Sequence, residues 1–91
     1  MTQNRMIGEE IMNILTSDGK KLINYNNVGN LSMHETDNGR WVIQVIYSNG
    51  SNTYITQPGS EYECQNEFDR LCDKIAMCRE YDTIDMGDLW D

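Results

Sequence analysis

The stretch LSMHETDNGRWVIQVIYSNGSNTYITQ, residues 31–57, decides how this chain is read. Two Asn-Gly pairs, Asn38-Gly39 and Asn49-Gly50, separate three runs rich in β-branched and aromatic residues. Asn and Gly tolerate the positive φ of a two-residue type I′ turn, so each pair marks a hairpin. The stretch therefore reads as an antiparallel meander with strands at 31–37, 40–48 and 51–57. Two-residue turns set Glu35 opposite Val42, Met33 opposite Gln44, and Gln44 opposite Ile55. Alternation of side chains then divides the sheet into two faces. One carries Leu31, Met33, Val42, Ile46 and Ile55 around Gln44, and is assigned to the core. The other carries His34, Trp41, Ile43, Val45, Tyr47 and Tyr54. That second face is too aromatic for an ordinary wet surface and calls for cover by the chain itself or by a partner.

On the N-terminal side, Ile7, Ile11, Ile14 and Leu15 fall on one helical stripe, which predicts a helix over residues 4–16. Ser17-Asp18-Gly19 supplies its stop signal, and residues 20–30 read as a short strand followed by an Asn-rich loop. On the C-terminal side, Pro58-Gly59 ends the meander, and Ser60 with Glu63 forms a capping box. A helix is expected from 61 to about 80, with Cys64, Phe68, Leu71, Cys72 and Ile75 inward and Glu67, Arg70, Asp73 and Lys74 outward. The expected fold class is α+β: N-terminal helix, three-stranded antiparallel meander, C-terminal helix and acidic tail. Residues 1–91 read as one small domain, with 82–91 either packed or a flexible acidic tail.

Charge is concentrated at one end. Residues 61–91 hold ten acids and three bases, a balance of −7, whereas residues 1–60 hold five and four, or −1. A net charge of −8 without a basic stripe excludes direct nucleic-acid binding and polybasic attachment to anionic membrane. No apolar run reaches membrane-spanning length and residues 1–15 lack a signal-peptide pattern, so the expected location is the cytoplasm, the host cell's if the chain is phage-encoded.

Catalytic chemistry has little to stand on. His34 is the single histidine, placed mid-strand on the opposite sheet face from the cysteines. Nucleophile and base must lie within hydrogen-bond reach, so no Cys–His pair is read. Cys64, Cys72 and Cys78 lack zinc-ligand spacing, and the tail aspartates lack the closing Glu of a calcium loop. The reading is accordingly no enzyme, no metal and no cofactor.

What remains is the geometry of the acids. Glu67, Asp69, Asp73, Glu80, Asp82, Asp85 and Asp88, with Trp90 among them, can present carboxylates where a partner's Arg and Lys expect phosphates. These residues are the candidate partner-binding site, and the partner is the basic groove of a nuclease or another nucleic-acid-processing complex. His34, Trp41, Tyr47 and Tyr54 form a candidate second interface. In order of elements, size and acidity the chain resembles the small phage-encoded anti-CRISPR proteins. That resemblance implies inhibition of an RNA-guided nuclease by imitating the DNA at its motif-reading site. Two alternatives stay open: a phage or bacterial structural or assembly protein, joined as a homodimer through the aromatic face, and an immunity or antitoxin protein against a basic nuclease.

Overall fold

The computed structural model describes residues 12–77 and 83–90. Its elements are β1 (Asn13–Leu15), β2 (Leu22–Asn24), a 3-10 turn (Tyr25–Asn27), β3 (Val28–Glu35), β4 (Trp41–Tyr47), β5 (Asn52–Tyr54), α1 (Glu61–Met77), β6 (Thr83–Asp85) and a 3-10 helix (Met86–Trp90). They build two three-stranded sheets, β2-β1-β6 and β3-β4-β5. Strand β6 runs parallel to β1, and every other pairing is antiparallel.

The expected architecture of an N-terminal helix and a single meander is corrected by the first sheet. Asn13–Leu15 is a strand, its neighbours Met12 and Thr16 are not helical, and residues 4–11 of the expected helix lie outside the described residues. Ser17-Asp18-Gly19 turns a hairpin instead of ending a helix: the Gly19 N–H donates to the Thr16 carbonyl (2.8 Å) and the Thr16 N–H to that of Lys21 (2.9 Å). Gly19 has φ +74. A left-handed glycine closes a helix and a hairpin equally well, so the stop signal did not tell one from the other. Asp18 braces this turn by accepting from the Thr16 hydroxyl (2.6 Å) and the Lys20 N–H (2.9 Å). Those bonds hold its carboxyl below the usual carboxylate range.

The meander forms, with its register one residue away from the expected one. Gly39 donates to the Thr36 carbonyl (3.0 Å) while Thr36 donates to that of Arg40 (2.7 Å), which makes a three-residue loop. Gly50, Tyr47 and Ser51 repeat the pattern at 2.9 and 2.7 Å. Gly39 and Gly50 sit at φ +77 and +94, the left-handed position of a turn followed by a bulge. Glu35 therefore faces Trp41, Met33 faces Ile43, Leu31 faces Val45, and Gln44 faces Tyr54. A one-residue slip moves each neighbouring strand's side chains to the other face.

The core face is consequently Leu31, Met33, Trp41, Ile43, Val45, Tyr47 and Ile55, which reverses the assignment of β4. Across the first sheet Ile23, Ile14 and Ile84 stand in one row and enter the same core. Helix α1 closes it with Cys64 and Leu71, joined by Met86 and Leu89 from the 3-10 helix. Ser17 donates to the Ile55 carbonyl (3.0 Å), tying the two sheets together. That carbonyl is diverted from the ladder, and the buried Thr56 hydroxyl accepts the Ile43 N–H in its place (2.9 Å). On the other face of the meander, His34 and Tyr54 stack at 5.7 Å between ring centroids.

Helix α1 starts as its sequence requires. Ser60 N–H donates to Glu63 Oε1 (3.0 Å) and Glu63 N–H to Ser60 Oγ (3.1 Å), completing the capping box. Its buried stripe is Cys64, Glu67 and Leu71, flanked by half-buried Phe68 and Ile75. Cys72 is exposed rather than inward, and Cys78 lies outside the described residues. Burial, with help from Glu67 and Glu61, pushes the Cys64 thiol up to about 11, leaving little reactive thiolate. In a Cys78→Ser background, maleimide is expected to label Cys72 quickly and Cys64 only on unfolding. Two fast-reacting thiols in the native protein would contradict the burial of Cys64.

Candidate functional site: an acid-rimmed groove between α1 and the C-terminal strand

Arg70, Asp73, Lys74 and Met77 recur at three- and four-residue spacing and so line one face of α1. Opposite them lie Thr83, Ile84 and Asp85 of β6, with Asp88 and Leu89 of the 3-10 helix. Between the two walls runs an open groove of about 590 Å³. Ile84 and Leu89 are buried and form its apolar floor, and Met77 stands exposed at its end. Three carboxylates and two cations share its rim.

The C-terminal wall is completed by the 3-10 helix that follows β6. A 3-10 helix has three residues per turn, so residues i and i+3 lie above one another. Met86 and Leu89 are both buried on that repeat, while Asp88 is exposed. The apolar residues interleaved with these acids are interior: Ile84, Met86 and Leu89 all belong to the core. Asp85 accepts the Gly87 N–H at 2.9 Å and so fixes the step from strand to helix. Arg70 Nη1 donates to the Leu89 carbonyl (2.9 Å) and clamps this segment to α1.

Of the acids singled out in the sequence, the structure brings Asp73, Asp85 and Asp88 to one groove. Asp69 is exposed and accepts from Gln65 Nε2 at 3.0 Å, outside the groove lining. Glu80 and Asp82 lie outside the described residues, and Trp90 closes the 3-10 helix. Glu67 is a correction. It is only 4% exposed, and its Oε2 has no hydrogen-bond partner among the described residues. Burial, reinforced by Glu63 and opposed by Arg70, raises its carboxyl above the usual range. A carboxylate turned into the core is not available to a partner.

The candidate second interface also separates. Trp41 and Tyr47 pack half-buried against the core, while His34 and Tyr54 lie on the opposite sheet face. The four therefore do not make one surface. Sequence reasoning placed Arg70 and Lys74 on the outward face of the helix and missed their place in the groove. Their spacing with Asp73 and Met77 was the available signal.

Among the described residues no cluster of three His, Cys, Asp or Glu side chains is placed to hold a metal ion, and no helix is long and apolar enough to cross a membrane. No family model, curated protein or solved structure matches the chain.

Proposed function

We propose that this protein is a non-enzymatic acidic inhibitor that docks its α1–β6 groove against the basic, nucleic-acid-binding surface of a nuclease or related complex in the cytoplasm. The observation that carries the reading is the convergence of Asp73, Asp85 and Asp88 from three separate elements onto the rim of one apolar-floored groove. Carboxylates at such a rim attract and orient a partner's Arg and Lys, while apolar contact below them supplies contact energy. The surplus of −7 over residues 61–91 steers the approach. Arg70 and Lys74 temper the local charge and restrict the partner to one whose own charges alternate to match.

The test converts Asp73, Asp85 and Asp88 to Asn. Asn retains an acceptor oxygen for the Gly87 N–H that Asp85 holds, so the fold is expected to persist. Tagged wild-type and variant chains are used to capture proteins from host lysate at low and physiological salt, with and without added duplex DNA. The expected result is a basic nucleic-acid-processing protein retained by the wild type, released by salt or DNA, and at least about ten-fold depleted with the variant. A partner held equally by the variant, or one that DNA does not displace, would overturn the proposal.

A further inference from the structure

Strand β3, Val28–Glu35, is the longest among the described residues, and it lies at an edge of its sheet. The bonded pair Thr36–Arg40 fixes the phase of the β3–β4 ladder. Antiparallel ladders alternate, so Ser32 and His34 direct their backbone groups toward β4, and Leu31, Met33 and Glu35 direct theirs outward. No described residue bonds those three outward N–H groups or their carbonyls. The opposite edge differs in length. Strand β5 has only three residues, Asn52–Tyr54, and the β1–β2 turn packs beside it, with Ser17 bonding the Ile55 carbonyl just beyond its end and Lys21 Nζ bonding Thr53 Oγ1 at 3.2 Å.

Open edges are normally blunted by Lys, Pro or short length. Strand β3 has eight residues and neither Lys nor Pro, and its register irregularity is confined to its start, between Val28 and Asn30. We propose that this edge pairs with the β3 edge of a second copy, antiparallel about a two-fold axis, to give a continuous six-stranded sheet. Two properties favour a second copy over a basic partner. The edge belongs to the part of the chain, residues 1–60, that carries only −1 of the net charge, so self-association there meets little repulsion. It is also self-complementary. With Ser32 on the axis, Leu31 of each copy faces Met33 of the other, and the two Glu35 carboxylates stay apart. The Leu31 and Met33 positions then exchange their outward N–H and carbonyl groups, giving four main-chain hydrogen bonds. Both copies of α1 fall on the same side of the joined sheet, because paired residues point to one face.

Ser32 gives the test. It is half-buried on the face away from α1, so Ser32→Lys and Ser32→Glu are expected to leave the monomer's circular dichroism and melting unchanged. In a dimer each places two like charges directly opposite one another. The full chain is followed by analytical ultracentrifugation up to about 0.5 mM, where the wild type should reach dimer mass and each variant should dissociate at least about ten-fold more readily. An equimolar mixture of the Lys and Glu variants should regain dimer mass, since the opposed charges now attract. A wild type that stays monomeric would overturn the proposal and leave the edge to an extended segment of another protein. So would a dimer that neither variant weakens.

Discussion

Replacing Ile14 by alanine is expected to lower the unfolding free energy by about 2–5 kcal/mol, and Ile14→Val by about 0.5–1.5 kcal/mol. Ile14 is fully buried at the centre of the Ile23–Ile14–Ile84 row. Truncation there removes transfer energy and leaves a cavity between two neighbours that are themselves held by three-residue strands. A small domain has about 5–15 kcal/mol in total, so the alanine variant approaches the threshold of unfolding. Strand β6 is joined to β1 only by tertiary pairing, and loss of the row should release it first. Urea denaturation with hydrogen exchange at residues 83–85 checks both parts. A stability change under about 1 kcal/mol would mean that this row is not part of the core.

The second large effect has the opposite sign. Glu67→Met is expected to stabilise the protein at neutral pH by about 1–3 kcal/mol, because it removes a buried oxygen without a partner and fills similar volume with apolar atoms. The pH dependence follows from the direction of the shift. Burial and Glu63 raise the folded-state carboxyl above its ordinary value of 4.5, against the pull of Arg70. A raised value favours the neutral acid in the folded protein. Its contribution to stability is complete below 4.5 and is lost as pH rises through the folded-state value. The advantage of Glu67→Met over the wild type should therefore be largest at neutral pH and shrink on acidification toward 4.5. Paired urea titrations of the two proteins across that window measure it. An advantage that stays constant with pH would show that the fold does not shift the Glu67 carboxyl, and one that grows on acidification that Glu67 is paired and charged in the fold.

Much of the local structure was legible because local chemistry determines it. The capping box of Ser60 and Glu63 and the turns at Gly39 and Gly50 depend on residues a few positions apart. Loop length was less legible: Asn-Gly suits a two-residue turn, yet the third loop residue, Asp37 or Ser48, was counted as strand. That difference set the register and reversed which face of β4 meets α1. Glu67 was misread for a related reason. Helical spacing places it beside Cys64 and Leu71, but its charge argued for solvent, and position prevailed over residue type. The groove was half visible, since Asp73, Asp85 and Asp88 were singled out as acids without any means of seeing that they converge.

By itself the sequence determined the antiparallel meander, the start of α1 and the concentration of charge in residues 61–91, all of which rest on turn chemistry, capping and composition. Only the tertiary structure decided the state of Asn13–Leu15 and Thr83–Asp85. Each is three residues long, too short for a periodicity of its own; Asn13–Leu15 is a strand because β2 and β6 flank it, and Thr83–Asp85 because β1 lies beside it. Their pairing joins positions about seventy residues apart, and no local propensity encodes a bond of that separation. Burial of the three isoleucines against the meander and α1 supplies the energy that selects strand over the helix which Ile7, Ile11 and Ile14 suggested.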